Sequence, residues 1–233
     1  MSVISTVIQL FVVLFAITVH EAAHGWAANK FGDPTAYNLG RVTLNPIAHI
    51  DPFGTILLPL LLSLARMPAF GWAKPVPVNP YNLRNPRRDN LWISFAGPAA
   101  NLTVAASAYV VLMILKLASG RVDYFLKVMC STFFRQMGFA LPILPRGFYP
   151  LEGAALILLF MILLNSLFAL FNLIPVPPLD GSGILMGLMS DGAASRYDRI
   201  RPFGFIIVLM LIYMRLLEIL MWPVKLFIVM TLG

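Results

Sequence analysis

The sequence predicts an all-α polytopic membrane protein with about four to six transmembrane helices, a re-entrant segment and short surface strands. Composition is the first reason. Of 233 residues, 59% are hydrophobic and only 12% are charged, against roughly 45–50% and about 25% in soluble domains. The second reason is the length of the apolar runs, several of which reach the roughly 20 residues a spanning helix needs. The third is the position of the basic residues, which fall in short loops between those runs. The net charge of +7 is thereby explained by orientation in a membrane rather than by nucleic-acid binding. No polar stretch is long enough for a separate soluble module, so residues 1–233 are expected to form one domain.

The first run covers residues 3 to 29. No Lys or Arg precedes it, which argues against a cleaved leader. The second, Gly54 to Leu64, is short, contains Pro59 and is bounded by Pro52 and Pro68. It suits a re-entrant or interfacial segment better than a crossing. The third run, Leu91 to Leu117, and the fourth, Leu151 to Ile174, are each long enough to span. A fifth runs from Phe203 to Met221, with Arg215 and Glu218 near its far end, and residues 203–232 form the expected C-terminal helical extension. Residues 121 to 150 mix Lys127 and Arg135 with many Phe, Leu and Met, which reads as an amphipathic interfacial segment or a weakly apolar extra crossing. Residues 38 to 50 and 73 to 80 are rich in Val, Thr and Pro, with Asn-Pro steps that disfavour helix, and are expected to be extended. The lone cysteine, Cys130, rules out an internal disulfide.

The chemistry is concentrated in His20-Glu21-Ala22-Ala23-His24, at the end of the first run. Ionisable side chains are costly beside hydrocarbon and mark functional sites there. Positions i and i+4 share a helix face, so both imidazoles can bind one zinc ion while Glu21 stands beside it as a general base. Catalytic zinc generally takes three protein ligands. The only other histidine is His49, read as a loop residue packed on Asp51, with a substrate contact or an alternative ligand as other roles. A better third ligand lies at the end of the fourth run. There Phe171-Asn172-Leu173-Ile174-Pro175-Val176-Pro177-Pro178-Leu179-Asp180-Gly181 breaks the helix just before Asp180. A broken helix at membrane depth is tolerated where it lines a cavity or is covered by protein.

The pair HEAAH and FNLIPVPPLDG resembles the site-2 protease family, intramembrane zinc metalloproteases. Gly97-Pro98-Ala99-Ala100-Asn101 is similar to a Gly-Pro-Asn element found in many members. The resemblance covers about residues 7 to 190. It implies one zinc ion per chain held by His20, His24 and Asp180, with Glu21 as the base and Asn172 near the substrate or the oxyanion. Asn101 is expected to hydrogen-bond a neighbouring helix. The implied substrate is a membrane protein with a transmembrane segment. The peptide-binding insert and C-terminal nucleotide-binding domain of larger members are not expected, and a compact chain of this kind suits a prokaryotic cell membrane. The rival function is a membrane metal transporter or binding protein using the same His/Asp cluster. A transporter, however, needs polar residues along a path through the bilayer, and here they gather at one end.

The metal hypothesis constrains topology. If His20, His24 and Asp180 meet, the ends of the first and fourth runs share a face of the membrane. Either one of the first four runs does not cross, or an extra segment does. Taking residues 54–64 as re-entrant puts Lys30, Arg41, Arg66, Lys74, Arg84, Arg87, Arg88, Arg196, Arg199 and Arg201 on the site's side, against Arg121, Lys127, Arg135 and Arg146 opposite. That asymmetry predicts an active site toward the cytoplasm. Crossing by both 54–64 and 121–150 satisfies the same parity. An extended substrate is expected to pair with segments 40–45 or 74–79.

Overall fold

A computed structural model describes residues 3–58, 61, 64, 71–135 and 149–233. Nine α-helices form among them: α1 (Val3–Lys30), α2 (Thr35–Asn38), α3 (Pro86–Ala118), α4 (Gly120–Arg135), α5 (Pro150–Asn172), α6 (Asp180–Leu188), α7 (Asp191–Asp198), α8 (Gly204–Tyr213) and α9 (Leu216–Leu232). Helices α1, α3 and α5 are long and apolar enough to cross a membrane, and the segment from α7 through α8 forms, with α9, a fourth candidate span bent by 57°. The bend falls at Arg215, whose φ of 60° is left-handed. This is an integral membrane protein.

Contacts between helix ends decide the parity that the sequence left open. His24 Nδ1 lies 2.7 Å from the carbonyl oxygen of Ile93, so the end of α1 meets the start of α3. Residues 31–85 therefore leave and return at one face, with no net crossing. On the other face, the Arg121 guanidinium sits 4.4 Å from the centre of the Tyr149 ring. The start of α4 thus meets the start of α5, and residues 121–149 also make no net crossing. Gly204, opening α8, packs against the Pro177 carbonyl on the site side. At the far end of α9, Lys116 donates to the Thr231 carbonyl at 3.0 Å. Helices α8 and α9 together complete one broken span. Four of the eleven residues of the re-entrant candidate Gly54 to Leu64, residues 59, 60, 62 and 63, lie outside the described residues. Its start, Pro52–Leu57, is a π-helical turn in which the Asp51 carboxylate accepts from Gly54 N–H at 2.6 Å.

One sequence expectation is refined and one is corrected. The amphipathic helix expected within residues 121–150 is α4, and it turns its apolar face to protein. Val122, Phe125, Leu126, Met129 and Cys130 recur at helical spacing and are buried in one core with Val12 of α1, Leu112 of α3, Leu156 and Phe160 of α5, and Ile228 of α9. Its amphipathic face is matched to protein, and residues 136–148 lie outside the described residues. The short surface strands are absent among the described residues. Pro75 and Pro77 have no N–H to give a ladder. Segment 71–79 instead runs as an extended strap whose alternate amides bond inward: Trp72 to Gly54 O at 3.2 Å, Lys74 to His49 O at 3.0 Å, and Val76 to the Glu21 carboxylate at 2.9 Å.

The far end of the strap is tied to α1 by Asp33, a fully buried residue. Its carboxylate accepts from Asn79 N–H at 2.6 Å, Asn82 Nδ2 at 2.8 Å and Thr35 N–H at 3.1 Å. Burial alone pushes this carboxyl up, but the bonds from Thr35, Asn82 and Asn79 outweigh it and hold the pKa below the ordinary value. Because the folded value is the lower one, the stabilisation is complete above the ordinary carboxylate range and is lost as pH falls through the folded value. Replacing Asp33 with Ala leaves several donors unpaired and is expected to cost about 3 kcal/mol. Thermal unfolding in detergent will measure it, with the largest difference from wild type near neutral pH and a smaller one in acid.

Candidate metal centre

The last turns of α1 carry His20, Glu21 and His24 toward the helix junction. Helix α5 ends at Asn172 because Pro175 cannot continue it, and a turn containing the cis Pro177–Pro178 bond returns the chain so that Asp180 opens α6. Gly181 is required there, since a Cβ would collide with the carbonyls of Leu173 and Ile174. Three donor atoms then converge: His20 Nε2 and Asp180 Oδ2 are 2.9 Å apart, His24 Nε2 and Asp180 Oδ2 3.3 Å, and the two Nε2 atoms 3.0 Å. His20, His24 and Asp180 form the one such His/Cys/Asp/Glu cluster among the described residues.

The protonation of this cluster can be read from its outer partners. His24 Nδ1 faces the Ile93 carbonyl, which only accepts, so Nδ1 carries the proton. His20 Nδ1 faces Asn101 Oδ1 at 2.7 Å, with Asn101 Nδ2 turned to the Ala16 carbonyl at 3.0 Å. With the proton on Nδ1, each imidazole in its neutral form presents an Nε2 lone pair to Asp180 Oδ2, a buried oxygen with no other hydrogen-bond partner. Three acceptors facing one another repel unless a cation lies among them. Bonds of about 2.0–2.1 Å in tetrahedral arrangement place ligand atoms about 3.3–3.4 Å apart. One separation, 3.3 Å, matches this and the other two, 2.9 and 3.0 Å, are shorter, so it is the donor set of two imidazoles and a carboxylate and their convergence on one point that fit zinc.

Gly97 on α3 makes room for the two rings. A Cβ there would stand 2.5 Å from His24 Nε2 and 2.7 Å from His20 Nε2. Glu21 lines the same cavity as the three ligand candidates, and its Oε2 accepts the Val76 amide. Asn172 also lines it, with Nδ2 donating to Phe168 O at 3.0 Å and its second N–H available for another acceptor. His49 stands apart. It is buried, with Nε2 bonded to the Thr43 carbonyl at 3.0 Å, while the nearby Asp51 carboxylate caps Gly54. The backbone carbonyl of His49 accepts from Lys74 N–H of the strap at 3.0 Å, so the residue serves the loop.

Sequence reading missed Asn165, the Ile93 carbonyl and Val76. Asn165 had a signal, a polar amide in the middle of an apolar 23-residue helix. A backbone carbonyl and a backbone amide carry none.

A His/His/Asp cluster beside a glutamate, with His20 buried and the other two partly so, among helices long enough to cross a membrane, fits the class of membrane-embedded metalloproteases. The chain belongs to Peptidase family M50, which matches residues 8–214. It is 35% identical over 210 residues to "Putative zinc metalloprotease YwhC" of Bacillus subtilis (strain 168), covering 90% of this chain and 82% of that protein. It is 27% identical over 199 residues to "Putative zinc metalloprotease Rip2" of Mycolicibacterium smegmatis (strain ATCC 700084 / mc(2)155), covering 85% of this chain and 64% of the other. No solved structure matches. Membership makes the chain a metalloprotease and implies zinc.

Gly97→Ala is expected to lower zinc affinity at least about tenfold by forcing the imidazoles apart, with little change in helix content. Metal analysis of purified protein, with circular dichroism on the same sample, checks this.

Proposed function

We propose that this chain is an intramembrane zinc metalloendopeptidase that hydrolyses peptide bonds within or near transmembrane segments of membrane-protein substrates. The observation that carries this reading is one cavity of about 690 Å³ that contains the whole cluster and continues along the spanning part of α1. Its wall includes Leu10, Val13, Leu14 and Ile17 from α1 and Phe168 and Phe171 from α5. Leu10 and His24 stand roughly 21 Å apart along the helix at 1.5 Å per residue. An apolar trough of that length, with polar chemistry only at one end, suits a hydrophobic helix that unwinds near the site. It does not suit a path for ions through the bilayer.

His20, His24 and Asp180 would hold one zinc ion, which supplies Lewis acidity toward water and toward the scissile carbonyl. Glu21 is placed to accept a proton from the attacking water and to deliver it to the leaving amine. The Val76 amide fixes one oxygen of that carboxylate and leaves the other for the proton. The second N–H of Asn172 is a candidate donor to the carbonyl oxygen as charge develops on it. Most inward groups of the strap are already engaged, since Lys74 O accepts from Arg41 at 2.6 Å and Val76 N–H from the same stretch is given to Glu21. Pairing of substrate with segment 74–79 would therefore use the strap's outer edge.

Wild type, Glu21→Gln and His20→Ala separate the readings. The expectation is equal zinc in wild type and Glu21→Gln, with cleavage of a membrane-spanning reporter reduced at least about 10³-fold in the latter, and loss of both in His20→Ala. Zinc binding without cleavage, together with metal uptake into liposomes by wild type, would establish the transporter instead.

The excess of Lys and Arg in 30–88 and 196–201 supports a cytoplasmic site in a prokaryotic cell membrane. With Cys130 replaced, a cysteine at exposed Tyr81 should resist an impermeant thiol reagent in intact cells. One at exposed Tyr124, on the opposite face, should react. The reverse pattern overturns the orientation.

A further inference from the structure

Behind His20 lies a chain of amides that the reaction itself does not use. Asn101 on α3 and Asn165 on α5 are both fully buried in the apolar bundle. Such groups are costly unless paired, and here each is paired in a defined direction. Asn165 Nδ2 donates to the Met161 carbonyl of its own helix at 2.9 Å, so its Oδ1 is turned outward. That oxygen accepts from Asn101 Nδ2 at 2.8 Å, and Asn101 Nδ2 also donates to the Ala16 carbonyl. Both amide hydrogens of Asn101 are thereby spent, and its Oδ1 is left facing His20 Nδ1 at 2.7 Å. Backbone carbonyls cannot donate, so the polarity of the whole chain is set at Met161 and Ala16.

We propose that Asn165 is a positioning residue for the metal: acting through Asn101, it holds His20 with the proton on Nδ1 and the Nε2 lone pair turned toward His24 and Asp180. This rests on the metal reading above. An imidazole free to rotate or to change tautomer offers its ligand atom only part of the time, and outer partners of metal-bound histidines are worth 10–100-fold in affinity. Asn165 reaches neither the metal donors nor the cavity wall, yet it completes the hydrogen bonding of the residue that does fix the ring. It also joins α5 to α3 at the level where α3 grips α1, so the ring orientation is built into the packing of three helices.

A purely structural tie would give a different result from this relay. In the first case Asn165 contributes stability independently of Asn101. In the second its effect on zinc passes through Asn101 and vanishes when Asn101 is gone. The experiment measures zinc affinity by chelator competition on the full chain in detergent for wild type, Asn165→Leu, Asn101→Leu and the double variant, with melting temperature recorded for each. Asn165→Leu should weaken zinc about tenfold and Asn101→Leu at least as much, while the double variant equals Asn101→Leu alone. Asn165→Ala, which removes the amide without adding bulk, should weaken zinc as much as Asn165→Leu does, which assigns the loss to the amide rather than to disturbed packing. Wild-type zinc affinity in both Asn165 variants, or losses that multiply in the double variant, overturns the relay and leaves the metal reading standing. A wild-type protein that binds no zinc, judged against His20→Ala, overturns both.

Discussion

The mutual repulsion of three acceptor atoms is the constraint around which this structure is arranged. His20 Nε2, His24 Nε2 and Asp180 Oδ2 approach within 2.9–3.3 Å inside an apolar bundle. Without a metal, a proton on a ring nitrogen would have to lie between an imidazole and the carboxylate to hold them so close. The approach is held by what stands behind each atom: Asn101 for one ring, the Ile93 carbonyl for the other, and the Pro-rich turn with Gly181 for the carboxylate. Three helices must therefore meet with little freedom, and α1, α3 and α5 do so around Gly97, where any side chain would intrude.

The same constraint explains the fold's use of polar groups. Amides at membrane depth usually serve as ties between helices, each worth little on its own. Here the ties converge on one imidazole, so packing and ligand orientation are the same set of contacts. The strap works similarly from the water side. Asp33 and Arg41 anchor it, and its central amide is delivered to Glu21. The Glu21 carboxylate is thus oriented by backbone, beside an apolar trough.

Topology was legible only as a parity rule. The need for His20 and Asp180 to meet showed that one of the apolar stretches was no ordinary crossing. Contacts between helix ends were needed to show that both 31–85 and 121–149 return to the face they left. Helix α4 shows why. Its apolar face has the spacing of a surface-bound amphipathic helix, and nothing in that spacing distinguishes lipid from the flanks of α3, α5 and α9. The strap shows the converse limit. Val, Thr and Pro correctly indicated extended backbone, but strand formation depends on a partner with free groups, and those groups were taken by Asp33, Glu21 and His49.

What the sequence determined by itself is the chemistry: a membrane-embedded chain, an H-E-x-x-H helix end, and an aspartate placed after a broken helix. Those follow from hydrophobic content, the i, i+4 geometry of a helix and the inability of proline to continue one, all of which are local. What only the tertiary structure decided is the state of that chemistry. The tautomers of His20 and His24, the orientation of Glu21 and the room at Gly97 are set by residues 55 to 81 positions away. Such relations depend on which atoms face one another after three helices pack, and a linear sequence carries no record of that.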